Sequence, residues 1–250
     1  MIFKAVLFDL GGTLIHYHDP EETDLARPFR RVTMLGIKAV MEQVASSGAS
    51  LPPAEEIGGI VDKHIGTSFR TLIEKQLGGT VETPVRAALG EMGIALSDAG
   101  WGNLRPAFYS AINQIASPRV GGPEMLAGLA GAGIKLGLIS NTFWAADLHD
   151  QHLVDHGLIE HLPVRVYSCD FGYSKPHPSI FQHTLEKLGV DAADAVYVGD
   201  RPDADVGGSQ SAGMRGVLIR SPYENGQYDG IMPDATIDEL PDLPAAIAGW

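Results

Sequence analysis

Cysteine is nearly missing: Cys169 is the only one in 250 residues. No internal disulfide can close, the fold must rest on a packed core, and a reducing compartment is expected. Basic residues are scarce too, 18 Lys and Arg against 31 Asp and Glu, for a formal charge of −13. That balance argues against nucleic acid or an anionic membrane surface as a partner. No apolar run nears the roughly 20 residues that span a bilayer. The apolar opening Ile2–Phe8 is too short for a signal-peptide core and lacks a cleavage pattern. A cytoplasmic protein, monomer or homodimer, is the expectation. Repeats and low-complexity tracts are absent, and 44% hydrophobic content over this length suits one α/β domain or one domain with a smaller insertion.

What is present begins with Val6–Leu14. A short apolar run ends at Asp9, Gly11, Gly12 and Thr13, the texture of a buried strand whose carboxyl end presents a carboxylate to a turn. From Asp19 to about Ile115 the spacing predicts helices: Glu22–Ser47, Pro53–Leu77 with a break at Gly66, Pro84–Met92, and Ser97–Ala116 with Ser97 as N-cap. Residues 16–118 therefore read as an all-helical insertion with its own small core, entered near His16–Pro20 and left near Ser117–Gly122.

Beyond it the pattern alternates. Helix Pro123–Ala132 precedes strand Ile134–Ile139, helix Ala145–His156 precedes strand Val164–Ser168, and helix Pro178–Leu188 precedes strand Ala195–Val198. Helix Asp203–Ala212, strand Arg215–Ile219 and a last helix, Leu240–Trp250, complete the series. Alternation of this kind predicts a doubly wound, Rossmann-like parallel sheet built from residues 1–15 and 119–250.

Three further strand ends carry polar groups: Ser140-Asn141-Thr142, Lys175 within Ser174–Pro178, and Gly199-Asp200 followed by Asp203 and Asp205. In open α/β sheets such ends converge at the switch point. Carboxylates gathered there repel unless a cation separates them, and hard oxygen ligands favour Mg²⁺. With Lys175 and Ser140 to bind phosphoryl oxygens, the set suits phosphoryl transfer, one carboxylate acting as nucleophile.

In these four motifs the chain resembles the haloacid dehalogenase superfamily, in the branch with a helical cap inserted after the first strand. The resemblance implies that Asp9 is the nucleophile and that Mg²⁺ is held by Asp9, the Gly11 carbonyl and Asp200, with Asp205 in support. It implies that Ser140 and Lys175 bind the phosphoryl group with Asn141 and Gly12 beside them, and that Lys175 also restrains Asp9. It places the first strand between those bearing Ser140 and Asp200. The substrate expected is a small phosphorylated metabolite.

One position departs from the pattern. Phosphatases of the family usually carry a second aspartate two residues after the nucleophile, as acid and base; here that residue is Gly11. General acid–base help is worth roughly 10²–10⁴-fold. His16 or His18, a metal-bound water or an undemanding leaving group could substitute. Dehalogenases lack the second aspartate but work without metal, against which Gly199-Asp200 argues. Phosphonate hydrolases use a cap lysine, for which Lys38, Lys63 and Lys75 are available. A phosphate binder that turns over poorly is the remaining alternative.

Other residues have plainer readings. His149, His152 and His156 read as a solvated helix face rather than a metal site, and Asp203 as a helix N-cap. Arg27, Arg30, Arg31 and Arg70 are candidates for a second anionic group of the substrate. Trp101, Phe108 and Tyr109 read as insertion core, Cys169 as a structural thiol, and Gly128–Gly133 as a helix stop.

Overall fold

The computed structural model describes residues 3–18, 28–223 and 230–250. Its centre is a six-stranded parallel sheet in the order β5-β4-β1-β6-β7-β8. These strands are β1 (Ala5–Phe8), β4 (Lys135–Ser140), β5 (Val164–Tyr167), β6 (Ala195–Gly199), β7 (Arg215–Ile219) and β8 (Ala235–Ile237). All four residues of β1 are buried, as an unbroken apolar run requires of a central strand covered on both faces. β1 lies between β4 and β6, with Phe8 level with Leu138 and Val198. The ends bearing Ser140 and Asp200 therefore flank Asp9, as anticipated.

Helices α6 (Gly122–Gly131), α7 (Ala146–Asp155), α8 (Ser168–Phe171), α9 (Pro178–Leu188), α10 (Gly208–Ser211) and α11 (Leu243–Ile247) connect and cover the strands. Pro178 opens α9 and Gly189 ends it in a left-handed conformation, so its predicted bounds hold. The predicted Asp203–Ala212 helix is instead a wide π-type turn, Pro202–Gly207, running into α10. β8 escaped the reading because its Ala-Thr-Ile is short and partly exposed.

Between β2 (Ile15–Tyr17) and β3 (Ala116–Pro118) the chain forms α1 (Pro28–Ser46), α2 (Ala54–Val61), α3 (Thr67–Glu74), α4 (Glu82–Glu91) and α5 (Asp98–Asn113). Ser97 caps α5, its hydroxyl accepting from the Gly100 amide at 3.0 Å. The stretches where the insertion is entered and left pair as an antiparallel ribbon, Ile15 opposite Pro118 and Tyr17 opposite Ala116. Three residues a side give too little periodicity to show in sequence. Nor is the insertion's core separate. Val32, Val40, Trp101 and Phe108 join Phe8, Leu14, Leu138 and Leu148 in one continuous apolar cluster. The opposite face of the sheet has its own cluster, with Leu7, Ile180, Phe181 and Tyr197.

Gly36 weakens the helical pattern of α1, and the packing explains its presence. A Cβ there would lie 2.4 Å from Cδ2 of Phe108, which is buried in α5. Glycine costs an exposed helix up to about 1 kcal/mol relative to alanine, but here overpacking of about 1–3 kcal/mol opposes that gain. Gly36→Ala is expected to lower the midpoint of urea unfolding; a raised midpoint would show that α1 and α5 do not meet as described.

Candidate active site

Four carboxyl-terminal ends or the loops after them meet at the sheet's switch point. Asp9 follows β1 and is anchored by its amide, which donates to the Val198 carbonyl at 2.9 Å. Asp200 follows β6, and Asp205 sits in the turn beyond it; both are buried. Oxygens of Asp9, Asp200 and Asp205 all lie within 4.8 Å of one another. Gly12 makes room for this: with φ of +90° it brings backbone so close that a Cβ would stand 2.2 Å from Oδ2 of Asp200.

Lys175 enters from the loop before α9. Its ammonium donates to Asp9 Oδ1 at 2.7 Å, Asp205 Oδ1 at 2.7 Å, the Tyr197 hydroxyl at 2.6 Å and the Ile139 carbonyl at 3.0 Å. An ammonium has three protons, so these four acceptors saturate it. Burial works against its charge, yet Asp205 and Asp9 outweigh burial and hold the ammonium above its ordinary pKa. Burial likewise raises the Asp9 carboxyl, to about 6, with Lys175 pulling the other way.

Asn141 grips the Lys175 loop from both sides. Its Nδ2 donates to the Lys175 carbonyl at 2.8 Å, and its Oδ1 accepts from the Lys175 amide at 2.7 Å. Its side chain thus braces the lysine's loop, and Asn141 also lines the pocket beside it. Gly12 is similarly engaged: its amide donates to the Ile15 carbonyl at 2.8 Å and its carbonyl accepts from buried Arg119 at 3.0 Å. Gly12 also leaves space for Asp200. Ser140 is buried at the end of β4.

Three carboxylates and one ammonium leave a formal charge of about −2 in a buried cluster, a sum that burial penalises heavily. The donor set, hard oxygens only, fits Mg²⁺. Within it Asp205 has both oxygens engaged, Oδ1 by Lys175 and Oδ2 by the Arg201 amide at 2.9 Å. Asp9 and Asp200 fit as direct holders of an ion, with Asp205 behind them, and Gly11 lines the adjoining pocket.

The cluster opens into a pocket of about 350 Å³. Asp9, Gly11 and Lys175 form its floor; Thr142, Trp144, Arg201 and Asp203 line it from the sheet side and Thr33, Ile73 and Gln76 from the insertion. Asp203 is no N-cap: its carboxylate accepts from the Arg201 guanidinium at 2.9 Å. Arg201, Tyr197 and Trp144 were not foreseen. Tyr197, the one polar handle in an otherwise apolar strand, was the available signal.

Several candidates stand elsewhere. His16 lines a different pocket with Arg119 and Glu239, and burial, then Arg119, lowers its pKa to about 4. Lys38 and Lys63 are exposed and paired with Glu42 and Glu91, and Lys75 is exposed, so no insertion lysine lines the pocket among the described residues. Arg70 is exposed near Asp62; Arg27 and the side chains of Arg30 and Arg31 lie outside the described residues. Trp101 and Phe108 are core, and Tyr109 is half-buried, bonded to Arg105 and Asp147. Cys169 is half-buried, burial pushing its thiol up to about 12. The histidine reading is overturned: His149 and His152 are buried, and α7 turns them inward.

Residues 3–213 match the family of haloacid dehalogenase-like hydrolases. The chain belongs to that family. It is 28% identical to a glyceraldehyde 3-phosphate phosphatase of Methanopyrus kandleri, over 97% of this chain and 92% of the relative. It is 30% identical to a phosphoserine phosphatase of Thermus thermophilus, over 86% and 88%. Among solved structures, a 2-haloacid dehalogenase of Pseudomonas syringae superposes with a TM-score of 0.72 at 26% identity, over the whole of both chains.

Removing the lysine tests the electrostatics. Lys175→Met leaves the carboxylates uncompensated, at a cost of about 3–5 kcal/mol. Protonation relieves the repulsion, so the variant's folded-state carboxyl pKa values stand above those of the unfolded chain. Its deficit against wild type in chemical denaturation should be largest at pH 7 and shrink as pH falls toward 5. A deficit independent of pH would show that packing, not charge, is the lysine's contribution.

Proposed function

We propose that this family member is a Mg²⁺-dependent phosphatase that cleaves a small organic phosphate through an aspartyl-phosphate on Asp9. The observation that carries the reading is the buried Asp9–Asp200–Asp205 cluster, pinned by Lys175 and facing a pocket. Phosphatase relatives over nearly the whole chain support it.

In the proposed cycle a carboxylate oxygen of Asp9 attacks phosphorus in line with the leaving oxygen, forming the acyl–phosphate bond as the ester P–O bond breaks. Lys175 holds Asp9 at the angle of attack and offers positive charge to the phosphoryl oxygens, and Ser140 donates to them. Bound Mg²⁺ supplies charge neutralisation at those same oxygens. Water then hydrolyses the acyl phosphate and restores Asp9. A pocket of about 350 Å³ is at the small end for ligand sites, which fits a leaving group of a few carbons such as those in the relatives' names. Residues 16–118 serve as the cap over the 1–15 and 119–250 core, the insertion supplying Thr33, Ile73 and Gln76 to select that group.

Gly11 has no carboxylate to protonate the leaving oxygen, so rates should fall steeply as the leaving group becomes more basic. Gly11 and the dehalogenase likeness favour a second reading, carbon–halogen cleavage at Asp9 without metal. The acidic cluster weighs against it.

The test compares p-nitrophenyl phosphate, an alkyl phosphate and a 2-haloacid, each with Mg²⁺ and with chelator. Mg²⁺-dependent phosphate release, abolished in Asp9→Asn, is expected. Gly11 lies outside the left-handed region and lines the pocket, so Gly11→Asp should speed the alkyl ester by about 10²-fold or more. Halide release in chelator, with no phosphate release, would overturn the proposal.

A further inference from the structure

The inward histidines of α7 belong to a chain of hydrogen bonds that no step of the proposed cycle uses. Asn113 Oδ1, at the end of α5, meets His152 Nε2 at 2.5 Å. His152 Nδ1 lies 3.0 Å from the Tyr17 hydroxyl, and His149 Nδ1 lies 3.3 Å from the same oxygen. On its far side His149 Nε2 is 2.6 Å from Thr142 Oγ1, which also accepts the Trp144 amide at 3.0 Å. The two terminal residues, Thr142 and Trp144, line the active-site pocket.

Chemistry fixes where each proton sits. Burial lowers both imidazoles, to about 3 for His149 and about 4 for His152, and raises Tyr17 well above its usual value. Each ring is therefore neutral with one N–H, and the phenol keeps its proton. An amide oxygen only accepts, so His152 carries its proton on Nε2 and presents Nδ1 as an acceptor. Tyr17 must then donate to His152, which leaves its oxygen to accept Nδ1–H from His149. His149 Nε2 is left bare and takes the proton of Thr142. One direction runs from end to end.

Ring packing makes the chain rigid. His149 is stacked between Trp144 and Tyr167, with centroids 5.4 Å away on each side. Tyr17 stands edge-on to Trp144 at 5.2 Å. The Trp144 indole reaches across to the insertion and donates to Thr33 Oγ1 at 2.8 Å. Tyr17 itself sits on β2, where the chain leaves the sheet for the insertion.

We propose that Tyr17, His149 and His152 are positioning residues: a directional relay that sets the Thr142 hydroxyl and the Trp144 ring against the substrate's leaving group, and that registers them to the insertion through Asn113. The kinetic consequence rests on the phosphatase reading; the tautomers and the loop geometry do not.

The test combines ¹⁵N NMR of the imidazoles with kinetics on p-nitrophenyl phosphate. Wild type should show His149 protonated on Nδ1 and His152 on Nε2. Tyr17→Phe removes the shared hydroxyl, so His149 should revert to Nε2–H, the Trp144 indole N–H signal should shift, and KM should rise by up to about tenfold with kcat little changed. Asn113 is exposed, so Asn113→Leu should fold normally while mixing the tautomers at His149 and shifting the indole signal. Asn113→Asp keeps the acceptor and should restore wild-type spectra. Wild-type His149 protonated on Nε2 would overturn the relay, as would an indole signal unmoved in both Tyr17→Phe and Asn113→Leu. An inactive wild type with the expected spectra would sink the phosphatase reading and leave the relay standing; normal KM in Tyr17→Phe would refute the positioning role.

Discussion

The contact between the Lys175 ammonium and the carboxylates of Asp9 and Asp205 is the constraint around which the site is built. The ends of two neighbouring strands, β1 and β6, deliver three like charges to one buried point, and a parallel sheet with its switch at β1 offers no way to separate them. One lysine offsets part of the repulsion; under the proposed function a divalent cation would offset the rest. The same imbalance that would destabilise an inert core would then make the point receptive to a phosphoryl group. Stability and chemistry therefore draw on the same charges, as is common where ionisable groups are buried for function.

Around that point the chain places supports in widening circles. Asn141 fixes the lysine's backbone by a pair of hydrogen bonds, the Tyr197 hydroxyl on β6 accepts from its ammonium, and Gly12 gives Asp200 its place. Farther out, buried Arg119 joins the Gly12 carbonyl to the carbonyls of Arg220 and Asp238, where the chain returns from the insertion. The histidine relay does similar work for the pocket wall. Tyr197, Arg119, His149 and His152 are buried, where an unpaired polar group would be costly.

How legible this was in the sequence follows from how local the signals are. Strand ends announce themselves through an apolar run stopped by Asp9, Ser140 or Gly199, and α9 through Pro178 and Gly189, because those signals need only neighbours along the chain. The β2–β3 ribbon, β8 and the turn at Pro202 were hidden: three-residue strands carry no period, and a π-type turn keeps helical composition. His149 and His152 misled because spacing along a helix gives a face but not what that face meets; only tertiary packing turned it toward Tyr17. Gly11 was visible as a departure, and its meaning lies in reactivity rather than in geometry.

The central claim, that the buried carboxylates form a divalent-cation site, is tested most directly by calorimetric titration of Mg²⁺ into the wild-type protein and Asp200→Asn. The account predicts saturable one-to-one binding that also raises the thermal midpoint of the wild type, both effects being lost in the variant. Equal binding by the two proteins, or none by the wild type, would contradict it.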